Sequence, residues 1–274
     1  METVMRIARR KSAKIVYMVL LTLGLLYLVY RFYSNTNNEL ECKPKVVRFS
    51  ETPMIKTALA SYPGAGNTWL RHLIQQVTGI GTGSVYCDAS LKESFIGECV
   101  EDATTIVIKT HEWYDKPKYQ KAVLLIRSPF ASLGSHFNGE FTGDHKGTAT
   151  QEAYDKHFKN FLKMMLPHWR WFNEEWMNDF VGPKYVMFYD NLKRDLEGEM
   201  RKLMKFLDVI YDEKDFQCML KNYEGPSHRP SRQRVDILPY FSADDFNKTE
   251  EDISAVEQLA SKVNGEYHKI ARYV

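Results

Sequence analysis

With 274 residues, 44% of them hydrophobic and 26% charged, the chain is too apolar for disorder and long enough for a sizeable α/β domain. The net charge of +2 hides an asymmetry: residues 1–33 hold six Lys/Arg against Glu2 alone, leaving −3 for the remainder. That excludes an electrostatic argument for nucleic-acid binding, because the basic charge belongs to the N-terminal tail.

From the N-terminus, Arg6, Arg9, Arg10, Lys11 and Lys14 precede a charge-free run at residues 15–30. As a helix this run spans roughly 24 Å against a bilayer core of about 30 Å, which Phe32, Tyr33 and snorkelling by Lys14 and Arg31 extend. Arg31-Phe32-Tyr33 offers no small-residue cleavage site, so an uncleaved anchor is expected rather than a signal peptide. The positive flank predicts a cytoplasmic tail at 1–14, an anchor at 15–33, an Asn-rich stem at 34–51 and a lumenal domain at 52–274. All four cysteines (Cys42, Cys87, Cys99, Cys218) fall on the lumenal side, where disulfides persist. Cys87 and Cys99 are the nearest pair, although four cysteines leave three connectivities open. Asn247-Lys248-Thr249 is a glycosylation sequon on the same side.

Beyond the stem, short apolar β-rich runs at 55–60, 105–108, 122–126 and 185–188 alternate with helical patterns. The helices are expected at 68–77, 129–137, 151–165, 192–207, 212–222 and 250–264. This alternation predicts a parallel sheet covered on both faces. Between the first strand and helix lies Ser61-Tyr62-Pro63-Gly64-Ala65-Gly66-Asn67-Thr68-Trp69. Glycines at a strand-to-helix turn let the backbone approach an anion, and the first helical N–H groups then point at it. A Walker A loop needs Lys-Ser/Thr after its last glycine, whereas Asn67-Thr68 follow Gly66 here without a lysine. A P-loop kinase is disfavoured on that ground, and no Mg²⁺-holding carboxylate follows a strand.

The second strand run leads into Lys109-Thr110-His111, and side-chain alternation puts Lys109 and His111 on one face. Strand C-termini line the ligand crevice of a parallel sheet, so a cation and an imidazole point together at a bound anion. The third strand ends at Arg127, with Ser128 expected as an N-cap and Pro129 at the first helical position. Arg127 and Ser135 can close on a second anion. Trp169, Phe172 and Trp176 have the spacing of a core-facing helix stripe. Trp113, just past His111, is the better candidate for stacking on an acceptor. His136 and His145 lack metal-ligand spacing, and no metal is expected.

These motifs, in this order, resemble the sulfotransferase superfamily: Tyr62-Pro63-x-x-Gly66-x-Thr68-Trp69, Lys109-Thr110-His111, Arg127 with Ser135, and Phe188-Tyr189-Asp190-Asn191-Leu192. The resemblance implies a P-loop NTPase-like sheet, with the first loop (Gly64, Ala65, Gly66, Asn67, Thr68, Trp69) on the 5′-phosphosulfate of 3′-phosphoadenosine-5′-phosphosulfate (PAPS). It further implies Arg127 and Ser135 on the 3′-phosphate, Tyr189 near the adenine and Arg229 covering the 3′-phosphate. Tyr62 to Arg71, 82–86, Lys109 to Glu112, Glu224-Gly225 and His228-Arg229 are most similar to WSC-domain sulfotransferases, the sialate O-sulfotransferase branch, here without WSC modules. By resemblance His111 is the general base, and the acceptor is a glycan hydroxyl, with sialic acid the branch's own substrate. A single-pass type II Golgi protein follows. Soluble family members carry a lysine at the position of Gly64, so Lys109 is expected to supply that cation. The rival from outside enzymology is a membrane-tethered binding protein that keeps the fold without turnover. No feature of the sequence specifies an oligomer.

Overall fold

The computed structural model describes residues 17–31, 42–113, 116–144, 146–225 and 235–272. The chain divides into two units, Met1–Lys43 and Pro44–Val274. In the first, residues 17–31 are helical with exposed side chains. Among the described residues no helix is long and apolar enough to cross a membrane. The expected cytoplasmic tail, the ends of the expected anchor and residues 34–41 of the expected stem lie outside the described residues.

The second unit holds five strands: β1 (Thr57–Ser61), β2 (Gly83–Ser84), β3 (Ile108–Thr110), β4 (Lys121–Ile126) and β5 (Lys184–Phe188). All pair in parallel in the order β2-β3-β1-β4-β5. Its principal helices are α1 (Asn67–Thr78), α2 (Pro129–Thr142), α3 (Lys159–Asn178), α4 (Tyr189–Arg194), α5 (Leu196–Leu207), α6 (Glu213–Lys221) and α7 (Ala243–Asn264).

Strand alternation sorts the core into two layers. Ala58, Ala60, Ala122, Leu124, Val186 and Phe188 face α2, α3 and α7, where Leu133, Trp169, Trp176 and Val256 are buried. Leu59, Val123, Leu125 and Met187 face the other way, against Leu70 and Ile74 of α1, Leu203 of α5 and Phe216 of α6. Trp169, Phe172 and Trp176 are core residues, as their spacing predicts.

Several boundaries differ from the sequence expectation. Strand β2 is only two residues long and exists through its pairing with Ile108 and Lys109. The expected strand at 105–108 instead begins at Ile108. Residues 192–207 form two helices, because Asp195 leaves helical geometry and its side chain accepts from Gly198 N at 3.0 Å, capping α5. Helix α7 starts at Ala243, set by a capping box between Ser242 and Asp245. The expected helix at 151–165 has a π-type turn at Tyr154–Phe158 and continues through Pro167 to Asn178. Ser128 does occupy the N-cap of α2, but its side chain makes no capping bond. All four cysteines are disulfide-bonded, with Cys87 joined to Cys99. Asn247 is exposed on α7, while Thr249 of the sequon is buried and donates to Asp245 O at 2.6 Å.

The topology creates the crevice. The chain leaves β1 into α1 on one face of the sheet and leaves the adjacent β4 into α2 on the other. Loops that depart in opposite directions from neighbouring parallel strands open a ligand-sized gap at their C-terminal ends.

Candidate active site

The loop after β1 turns on two glycines in the left-handed region, Gly64 at φ 80° and Gly66 at φ 100°. Both are packed too closely for a side chain. A Cβ on Gly64 would lie 2.3 Å from Ser132 O, and one on Gly66 would lie 2.7 Å from Tyr189 Cε2. Gly66 is the N-cap of α1, so the first N–H groups of that helix open onto the crevice. Asn67 braces the turn from below, its Nδ2 donating to Leu59 O at 2.9 Å and Ser61 Oγ at 3.2 Å. Ala65 is buried, does not line the cleft, and spends its N–H on Tyr62 O at 3.2 Å. Thr68 and Trp69 line the cleft, and Trp69 Nε1 donates to Tyr223 O at 2.6 Å.

Register brings the second element alongside: Leu59 of β1 is opposite Lys109 of β3. His111, just beyond the strand, holds Nδ1 2.7 Å from Ser61 O. A carbonyl only accepts, so in the neutral ring Nδ1 carries the proton and Nε2 the lone pair. Lys109 is 4% exposed, and among the described residues its ammonium has neither a hydrogen bond nor an ion pair. Burial is the main force pulling it down to about 8; Arg71 adds repulsion, while Glu98 and Asp88 oppose both. A buried cation of this kind is complemented by an anion in the cleft.

Arg127, at the end of β4, is buried and fixed on three sides. Its Nη1 donates to Gly64 O at 3.0 Å, its guanidinium lies 4.3 Å from the Tyr189 ring centroid, and its own carbonyl accepts from Trp169 Nε1 at 2.9 Å. It is therefore no surface ion-pair residue. Tyr189, the first residue of α4, sits edge-on to Trp69 with centroids 5.5 Å apart. Ser135 lies on the α2 face that meets Gly64.

These residues border a single cleft of about 1610 Å³. Ten of the twelve expected site residues line it: Gly64, Gly66, Asn67, Thr68, Trp69, Lys109, His111, Arg127, Ser135 and Tyr189. Ala65 does not, and Arg229 and His145 lie outside the described residues. Trp113 lies outside the cleft lining, edge-on to Trp171 at 4.7 Å. His136 does line it, with Nδ1 3.2 Å from the Tyr62 hydroxyl; burial holds its imidazole below the ordinary value against the pull of Glu140. Among the described residues no group of three His, Cys, Asp or Glu converges as metal ligands would.

Sequence reasoning missed the supports beneath the site. Arg71 and Glu98 form an ion pair at 2.8 Å with both side chains 0% exposed. Tyr86 packs on His111 with ring centroids 5.5 Å apart. The pairings carry no local signal, because each partner comes from a different segment of the chain.

Comparison with known proteins agrees with the motif reading. No protein-family model matches the chain. WSCD family member GA21586 of Drosophila pseudoobscura pseudoobscura is 40% identical over 199 residues, covering 70% of this chain and 62% of the relative. Cytosolic sulfotransferase 14 of Arabidopsis thaliana is 29% identical over 102 residues, 35% of this chain and 29% of that protein. Among solved structures, mouse sulfotransferase SULT7A1 complexed with PAP aligns over 80% of this chain and 91% of its own, with 17% identity and a TM-score of 0.49. The chain thus spans about three fifths of the length of the WSCD relative it matches, 62%. At 40% identity over 70% of its own length, the chain is similar to the WSCD family.

Proposed function

We propose that this protein is a PAPS-dependent sulfotransferase that moves a sulfuryl group to a hydroxyl of a carbohydrate acceptor, with sialic acid on glycoconjugates as the acceptor suggested by the family resemblance. One observation carries the reading. A helix N-terminus, the buried ammonium of Lys109 and a His111 ring held by Nδ1 all border one cleft. The local similarity to an Arabidopsis cytosolic sulfotransferase supports sulfuryl transfer in general.

The residues suit the donor. The Gly64–Thr68 turn and Lys109 would hold the 5′-phosphosulfate, Arg127 and Ser135 the 3′-phosphate, and Tyr189 the adenine side. When bound, PAPS would supply the sulfuryl group: the acceptor oxygen bonds to sulfur as the bond from sulfur to the bridging phosphate oxygen breaks. His111 Nε2 takes the hydroxyl proton. Lys109 and the N-terminus of α1 stabilise the negative charge on the departing phosphate oxygen. The charge-free run at 15–30 with its basic flank supports a single-pass type II Golgi protein, and the disulfide-bonded cysteines suit that oxidising side.

The test is incubation of the full chain with radiolabelled PAPS and a glycan panel containing sialylated and desialylated members. Label on a glycan is expected, and its loss in His111→Ala assigns the base. Absence of transfer to every glycan, with PAP still raising Tm, would overturn the enzymatic reading in favour of a tethered binding protein.

A further inference from the structure

We infer that Tyr86 is a positioning residue for His111, holding the imidazole in the single tautomer that leaves its lone pair on Nε2. The proposal rests on the reading of His111 as the general base and goes beyond it, since nothing in the motifs assigns Tyr86 a role.

Tyr86 borders the cleft and meets the 109–112 segment at four points. Its ring stacks on the His111 imidazole, with centroids 5.5 Å apart and planes 29° apart. Its hydroxyl oxygen accepts from His111 N–H at 3.1 Å. The hydroxyl proton goes to Glu112 Oε1 at 2.7 Å. The Lys109 ammonium lies 5.4 Å from the ring centroid. One phenol thus fixes a backbone N–H, a neighbouring carboxylate and one face of the imidazole. The Ser61 carbonyl fixes the ring's Nδ1 edge at 2.7 Å. With an edge and a face both set, rotation about the ring's bond to the chain is restricted, and so is exchange of the proton between the two nitrogens.

The support is itself anchored. Tyr86 N donates to Ser84 Oγ at 3.1 Å, and Val85 N donates to Lys109 O at 3.1 Å. Beneath them, Arg71 donates to Thr82 Oγ1 at 2.9 Å and to Thr82 O at 3.1 Å. The Cys87–Cys99 disulfide ties the residue after Tyr86 to the residue after Glu98, the partner of Arg71. Glu112 also matters to the argument. It is the acceptor that holds the Tyr86 hydroxyl in place, at 2.7 Å.

The test compares the full chain with Tyr86→Phe, which keeps the ring and removes both hydrogen bonds. Nitrogen chemical shifts of ¹⁵N-labelled histidine, with His111 assigned by its loss in His111→Gln, report the tautomer directly. Wild type is expected to hold the proton on Nδ1, and Tyr86→Phe to populate both tautomers. In the same variant kcat is expected to fall about tenfold while KM for PAPS stays within about twofold. An unchanged Tm excludes misfolding as the cause, and Tyr86→Leu, which also removes the ring, should broaden the mixture further. A Tyr86→Phe protein with the wild-type His111 shifts overturns the proposal. If wild type transfers no sulfuryl group, the enzymatic reading fails, while the tautomer measurement still decides the role of Tyr86.

Discussion

A Cβ on Gly64 would stand 2.3 Å from the carbonyl oxygen of Ser132, so the loop has no room for the lysine that the family resemblance leads one to expect there. The φ of 80° adds strain for any residue with a Cβ. Gly64→Lys is therefore expected to lower stability by about 1–3 kcal/mol rather than restore a missing catalytic cation. Thermal melts and initial rates check this together. A Gly64→Lys protein with wild-type Tm and faster turnover would contradict it.

Under the proposed transfer chemistry the cation comes from elsewhere, and Lys109 predicts a distinctive pH signature. Its ammonium titrates near 8 when folded, against an ordinary value of 10.5. Between these values the unfolded chain binds a proton that the folded chain has released, so stability rises with pH across that window. Below about 8 the buried charge costs stability in full. Lys109→Met should accordingly raise Tm of the ligand-free protein at neutral pH, with the gain fading as pH approaches about 10. An anion in the cleft restores the proton. Titration calorimetry of PAP binding at about pH 8.5, in buffers of different ionisation enthalpy, should detect proton uptake in wild type and none in Lys109→Met. Turnover in that variant should drop by about 10²–10³, far more than PAP affinity.

What the sequence discloses here is local. The glycine loop, Lys109-Thr110-His111 and Arg127 each announce themselves within a few residues, because a tight turn or a strand end dictates its own composition. Ten of the expected residues line the same cleft for that reason. Ala65 did not, since which N–H groups a turn consumes internally depends on its closure onto Tyr62. Strand β2 was illegible because two residues have no periodicity and are recruited by β3. Arg71 closes a stretch that the motif resemblance matches, but nothing local gives it a partner. Its burial follows from Thr82 and Glu98, which only the folded chain brings to it.

That buried pair supports a stability prediction. Arg71 and Glu98 have no exposed side-chain surface, and the Arg71 guanidinium also lies 4.0 Å from the Phe95 ring centroid. Removing one member leaves the other charge uncompensated, which costs about 3–5 kcal/mol. Arg71→Met should thus unfold at markedly lower denaturant than wild type. The paired replacement Arg71→Met with Glu98→Leu should recover part of the loss. Additive losses in the double variant would mean that the two charges are not coupled.

Trp169 offers the last test, because it reaches the site without lining it. Its indole Nε1 donates to the carbonyl of Arg127 at 2.9 Å, from a fully buried position in the α3 layer. The same Arg127 carries the Nη1 bond to Gly64 O at 3.0 Å, so one residue links the core, the glycine loop and the expected 3′-phosphate contact. Trp169→Phe retains most of the apolar volume and deletes the donor. A hydrogen bond of this kind contributes about 0.5–1.5 kcal/mol, and the stranded buried carbonyl adds to the loss. If Arg127 holds the 3′-phosphate, the freed backbone should weaken PAP binding by roughly 3–10-fold while sparing adenosine 5′-phosphosulfate, which lacks that phosphate. Equal weakening for both nucleotides would assign Trp169 to general stability instead. The comparison therefore tests the role of Arg127 through a residue that never meets the ligand.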